Sequence, residues 1–223
     1  MNTLKKVIRY SIPFVIMPLT VWAGTFLPFK NNYIIISCII AILSILLFYC
    51  SFDTKKLSSR RLVLCAVMSS LCVIGRFIPF LKPVTAITVI SSVYMGAEAG
   101  FLIGSTSALV SNMYFGQGPW TPFQMLAWGT IGFLSGLLSP LLKKSRCVFI
   151  VYCALCGILY SLVMDVWTSV FYNGSLTPSL YISAVVTSLP HMALYTVSNV
   201  IFGIMLFRPL GKKFERIKLK YGI

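Results

Sequence analysis

The chain alternates long apolar runs with short polar or basic breaks, and the length of each run sets its architecture. The runs cover roughly residues 7–28, 33–50, 62–79, 83–95, 99–115, 122–142, 147–171 and 181–207. A helix needs about 20 apolar residues to cross a hydrocarbon core of about 30 Å, so the pattern predicts about eight membrane spans. The run at 83–95 is the exception. Its residues make only roughly 20 Å of helix, so it is expected to tilt little or to end inside the protein. The turn at 96–100, with glycines at both ends, then reverses the chain.

The breaks divide the chain unequally. Pro28, Phe29, Lys30, Asn31 and Asn32 form a turn between the first two runs, and Asp53, Lys55, Lys56, Arg60 and Arg61 mark the plainest internal boundary. Four parts follow: a two-span extension over 1–52, a basic linker over 53–61, a six-span block over 62–208 and a basic tail over 209–223.

Composition supports lipid as the solvent. Hydrophobic residues make up 58% and charged residues 10%, with a mean hydropathy of +0.90, whereas a soluble domain is about a quarter charged. Eight spans use nearly all of the 223 residues, which leaves no room for a soluble catalytic or nucleotide-binding domain. A net charge of +15 raises the question of nucleic acid. The basic residues, however, sit at the ends of apolar runs, where they fix membrane orientation. Sixteen of the nineteen lysines and arginines fall on one side, leaving only Lys30, Arg76 and Lys82 on the other. Both termini are therefore expected in the cytoplasm, with the lipid bilayer and not nucleic acid as the surrounding partner. Lys5, Lys6 and Arg9 before an apolar stretch also fit a signal peptide, but Pro13 and Pro18 interrupt that stretch and it is read as a retained span.

Few residues are equipped for chemistry. Of the acids Asp53, Glu98, Asp165 and Glu215, only Asp165 lies within a span. An intramembrane acid is a functional candidate; the structural alternative is pairing with Arg76 or bonding to hydroxyls between helices. His191, the single histidine, cannot supply the ligand pair of a haem or zinc centre. It shares a helix face with Tyr195 and Asn199, four and eight residues on, and that face is expected to look inward. The seven cysteines read as small hydrophobes. Cys153 and Cys156 form a CxxC with no second pair, so no metal site is expected.

The densest polar and aromatic stretch is NMYFGQGPWTPFQ at 112–124. Asn112, Gln117, Thr121 and Gln124 offer donors and acceptors, and Tyr114, Trp120 and Phe123 offer flat apolar faces. The mixture suits a largely uncharged organic ligand. An interfacial aromatic belt would explain Trp120 but not the amides. Arg76 and Lys82 either attract an anionic ligand or snorkel to headgroups. Small residues recur at helix-packing spacing in Ala66 and Ser70, Gly100 and Gly104, and Gly132 and Gly136.

GRFIPFLKPVTAI at 75–87, MGAEAGFLIGSTSALVSNMYFGQGPWTPFQMLAWGTIGFLSGLL at 95–138 and the six-span layout carry a resemblance that extends over 60–208. This region resembles the substrate-binding S components of bacterial energy-coupling factor (ECF) vitamin transporters. The resemblance implies an all-α, polytopic protein of the bacterial cell membrane with a six-helix S-component core; the two extra N-terminal transmembrane helices read from the apolar runs precede that core and fall outside the resemblance. It implies a non-enzymatic subunit without a covalently bound cofactor, which captures a vitamin-type ligand outside. The subunit would dock on a membrane coupling (T) subunit driven by two ATPase subunits. An AxxxA pattern meets the coupling subunit in this family, and Ala66 with Ser70 is the nearest match. The GQGPWTP sequence looks most like members assigned to cobalamin or related corrinoids. On this reading Asn112, Tyr114, Gln117, Trp120, Thr121, Gln124, Asp165, His191, Tyr195, Arg76 and Lys82 form the substrate-binding set. The rivals are a stand-alone secondary transporter, and an intramembrane enzyme acting on a lipid or peptide, for which Asp165 and His191 are the only titratable acid and imidazole within spans.

Overall fold

In hydrocarbon a chain must satisfy its backbone hydrogen bonds within itself, and the apolar runs do so as helices. A computed structural model describes residues 3–26, 32–50, 59–173 and 176–221. The turn residues Pro28, Phe29, Lys30 and Asn31 and the linker residues Asp53, Lys55 and Lys56 lie outside the described residues. Helix α1 (Thr3–Ser11) runs through a π-helical segment, Ile12–Ile16, into α2 (Met17–Thr25). The π segment falls at Pro13, whose missing N–H and ring bulk already break the regular ladder. There follow α3 (Asn32–Cys50), α4 (Ser59–Gly75), α5 (Val84–Met95), α6 (Ala97–Phe115), α7 (Thr121–Leu137), the short α8 (Ser139–Lys144), α9 (Arg146–Asn173) and α10 (Pro178–Tyr221). Among the described residues there is no strand.

Among the described residues, three helices, Val7–Thr25, Arg146–Phe171 and Pro178–Tyr221, are long and apolar enough to cross a membrane, and Tyr33–Tyr49 and Val84–Met95 are shorter apolar helices. The shortness expected at 83–95 has a structural reason. Every residue of α5 except Tyr94 is buried, so the helix stands inside the protein and its length need not match the bilayer.

Two close helix pairs bring the polar residues together. Across α6 and α7, a Cβ on Gly104 would come within 2.3 Å of the Trp128 carbonyl oxygen, and one on Gly132 within 2.2 Å of the Gly100 carbonyl oxygen. Small residues at the spacing read from the sequence therefore face one another and let two backbones nearly touch. Across α9 and α10, a Cβ on Gly157 would lie 2.7 Å from the Thr196 Cα. The 44 residues of α10 make about 66 Å of helix, roughly twice the hydrocarbon core. The stretch expected as a basic tail is helical to Tyr221, and Arg60 at the start of α4 sits 5.0 Å over the Tyr221 ring.

The N-terminal helices are packed onto the rest. Arg9 Nε lies 2.5 Å from Glu98 Oε1, and Tyr10 and Phe14 meet Phe133 edge-on at 6.2 and 5.6 Å. Ser105 of α6 donates to Ser44 of α3 at 3.0 Å. A carboxylate inside a helical bundle is costly without a partner, and the extension supplies one for Glu98.

The glycine contact generates a prediction. Gly104→Ala forces the backbones of α6 and α7 apart and should cost about 1–3 kcal/mol, read as a lower melting temperature in detergent. Ser70→Ala on the exposed face of α4 should shift stability by no more than about 0.5 kcal/mol. Equal melting of both variants would contradict the close approach.

Candidate functional site

The turn from α6 to α7 gathers the polar residues of 112–124. Gly116 holds φ of +102°, a left-handed conformation that glycine adopts without strain. The chain then folds back so that Thr121 Oγ1 accepts from the Gly118 N–H at 3.3 Å and from Asn112 Nδ2 at 2.9 Å. Thr121 donates to Gln117 Oε1 at 3.0 Å, and Gln117 Nε2 donates to the Leu109 carbonyl at 2.9 Å. The sequence puts four amide and hydroxyl side chains in one stretch; the turn makes them partners.

From Asn112 the network crosses the bundle. Its Oδ1 accepts from Arg76 Nη1 at 2.7 Å, and Arg76 also donates to the Ser111 hydroxyl. Its Nδ2 donates to Gln124 Oε1 at 2.8 Å, and Gln124 Nε2 donates to the Tyr160 hydroxyl at 3.1 Å. Tyr160 is also the middle of an aromatic stack. The Trp128 ring lies 5.0 Å away at 17°, and the Tyr195 ring 4.8 Å away on the other side at 5°. The Arg76 guanidinium sits 5.3 Å over Trp128 and 4.9 Å over Phe115, within cation–π reach. A hydrogen-bond chain from α4 through α6 and α7 and a stack from α7 through α9 to α10 therefore meet at one residue.

Several buried atoms at this junction have no protein partner. They include Arg76 Nε, Trp128 Nε1 and both amide atoms of Asn199, one turn beyond Tyr195. Each such atom costs about 1–3 kcal/mol if left unmatched. No carboxylate among the described residues pairs with Arg76. Burial first, and the Arg76 charge second, hold the nearby Lys82 ammonium below the ordinary lysine range. This end of the bundle is thus electropositive and rich in unmatched donors.

The remaining expected residues stand at its margins. Asp165 is buried and accepts from the Ser188 hydroxyl at 2.8 Å; of the two structural partners left open, it takes the hydroxyl on the neighbouring helix. His191 is exposed, with its ring 5.1 Å from Tyr195. Trp120 packs edge-on against Trp167 at 5.8 Å. Lys82 gives its backbone carbonyl to the Ser198 hydroxyl at 3.0 Å. Tyr114 is 72% exposed and packs on Phe77 at 4.6 Å, which places it outside the buried network. Trp128 and Tyr160 were not expected. Trp128 lies four residues after Gln124, so helical spacing put the two on one face. Tyr160 sits in a long apolar run with no local cue.

Ala66 and Ser70 are both exposed on α4, where the Ser70 hydroxyl donates back to the Ala66 carbonyl at 2.9 Å. Together with Ile45 of α3 and Leu102 of α6 they line an apolar groove of about 460 Å³. Cys153 and Cys156 are buried free thiols, and among the described residues no group of three metal-ligating side chains occurs.

Residues 56–216 match the family described as ECF-type riboflavin transporter, S component. The matched region holds every helix that builds the site and excludes α1 to α3. No curated protein and no solved structure matches the chain.

The junction can be tested without any ligand. Gln124→Ala leaves the Asn112 amide and the Tyr160 hydroxyl without their shared partner and should destabilise the protein by about 1–3 kcal/mol. Tyr160→Phe, which keeps the stack, should cost less. Thermal denaturation that ranks the two in the opposite order would contradict the network.

Proposed function

The chain belongs to the family of ECF-type riboflavin transporter S components, and from that premise we propose that it captures a flat, ring-based vitamin, riboflavin in the first place, at the junction around Tyr160. Family membership makes it a membrane protein and the substrate-binding subunit of an ECF-type vitamin transporter.

The observation that carries the substrate reading is the set of unpartnered buried atoms beside the aromatic stack. The isoalloxazine system of riboflavin is flat and carries, along one edge, carbonyl acceptors flanking an N–H. Donors on Arg76 Nε and Trp128 Nε1 and the two-way amide of Asn199 complement such an edge, and the outer faces of Trp128 and Tyr195, the two ends of the stack, complement its faces. A corrinoid, the ligand to which GQGPWTP points by resemblance, needs a wide cavity with free amides and open aromatic walls. Here Asn112, Gln117, Thr121 and Gln124 bond to one another and Trp120 stands edge-on to Trp167. That favours the smaller ring.

On this reading α4, α5, α6, α7, α9 and α10 are the six-helix core, and the helices before α4 are a two-span extension. Arg9, Arg61, Lys143 and Lys218 gather at the end where α5 turns into α6, and that end faces the cytoplasm by the positive-inside rule. The Arg76 and Asn112 side of the network then lies toward the outside. The exposed Ala66 and Ser70 face meets the coupling subunit, and two ATPase subunits bound to that partner supply the energy.

Two outcomes check the proposal. Asn199→Ala should weaken riboflavin binding, followed by quenching of flavin fluorescence, about 10- to 100-fold through loss of buried hydrogen bonds. Cobalamin binding by the wild type without riboflavin binding would overturn the substrate. Ala66→Leu should abolish co-purification of the coupling and ATPase subunits and leave riboflavin affinity unchanged; full co-purification would remove this face from the interface.

A further inference from the structure

The Arg76 side of the network carries more positive charge than a neutral vitamin uses. Arg76 Nη1 donates to Ser111 and Asn112, and a second cation stands beside it. The Arg76 guanidinium lies 4.9 Å and the Lys82 ammonium 6.0 Å from the centre of the same Phe115 ring, and the Arg76 charge acts on Lys82. Among the described residues no carboxylate pairs with either. Glu98 and Glu215 belong to the end where α5 turns into α6. Asp165 accepts from Ser188, and its charge acts on His191 and Tyr181.

Lys82 is placed by its backbone. Its carbonyl accepts from the Ser198 hydroxyl at 3.0 Å, and Ser198 adjoins Asn199, whose two buried amide atoms have no protein partner. Lys82 thus joins α10 to the Phe115 end of α6 beside the unmatched atoms of the site. Two like charges around one ring, both partly withdrawn from water, repel more strongly than they would in solution. A bound anion would offset that repulsion, whereas riboflavin brings none.

The chemistry of the flavin says where an anion would come. Its sugar-alcohol tail leaves the ring system on the side of one carbonyl of the polar edge. A ring with that edge on Arg76 Nε and Asn199 therefore starts its tail close to Lys82. A phosphate monoester on that tail carries about two negative charges near neutral pH and three strong acceptor oxygens, which suits a lysine with no carboxylate partner.

We propose that the site accepts the phosphate monoester of the flavin and prefers it to riboflavin, with Lys82 as the residue that holds the phosphate and Arg76 as the second positive charge; this rests on the flavin reading above. Lys82 is then the specificity-determining residue, separate from the amides and rings that recognise the ring system.

The test uses the full chain purified in detergent, with riboflavin and flavin mononucleotide as probes and quenching of flavin fluorescence as the readout. Wild type is compared with K82Q, with the conservative K82R, and with K144Q, which removes one charge from an exposed position at the end of α8. Wild type is expected to bind flavin mononucleotide about tenfold more tightly than riboflavin. K82Q should lower that affinity ratio about 10- to 100-fold, while K82R and K144Q keep it. A merely structural Lys82 would weaken both flavins together, and an unchanged ratio in K82Q overturns the assignment. Riboflavin bound more tightly than flavin mononucleotide by wild type overturns it too and leaves the flavin reading intact, a comparison that needs no variant to fold. Wild type that binds neither flavin overturns that reading and this assignment with it.

Discussion

Hydrocarbon offers no hydrogen bonds, so every buried polar atom in this bundle needs a partner of its own making. Tyr160 is where that constraint is met most fully. Its hydroxyl ends a chain of amides that begins at Arg76, and its ring is the middle of the Trp128 and Tyr195 stack. Neither arrangement is possible unless the helices approach closely. The glycines of α6 and α7 bring Asn112 within reach of Gln124, and Gly157 against Thr196 brings α9 and α10 near enough for Tyr160 and Tyr195 to stack. The few atoms still unmatched then become informative, because a site complete in all but its ligand leaves such atoms behind.

The same constraint explains why the ends of the bundle differ. At one end polar side chains bond among themselves around Arg76, which pairs with no carboxylate among the described residues. At the other, basic side chains gather where a membrane surface tolerates and rewards them. The N-terminal extension joins the two stories through Arg9, which neutralises the buried Glu98 beside the α5–α6 turn. Although these helices lie outside the family match, they are part of the packed protein.

Much of this was legible in the sequence for local reasons. Apolar run lengths pointed to the helices, the Gly100, Gly104, Gly132 and Gly136 spacing pointed to close helix packing, and the cluster at 112–124 holds one half of the hydrogen-bond network. What was not legible depends on which helices become neighbours. Tyr160 looks like any tyrosine in an apolar run until α9 lies beside α7 and α10. Asp165 had two structural partners open, and only the placement of α10 selects Ser188. Tyr114 reads as part of the cluster by position, yet it sits on the outward side of α6, 72% exposed. Sequence proximity grouped it with Asn112, two residues away; helix geometry separates residues at that spacing onto different faces.

The central claim is that the unmatched atoms around Tyr160 await a flat ligand. An experimental structure of the riboflavin-loaded protein measures this most directly. The account predicts the ring system packed on an outer face of the stack, against Trp128 or Tyr195, with the Asn199 amide and Arg76 Nε within hydrogen-bond distance of its polar edge. Riboflavin seated elsewhere, with those atoms paired to protein groups or water, would contradict it.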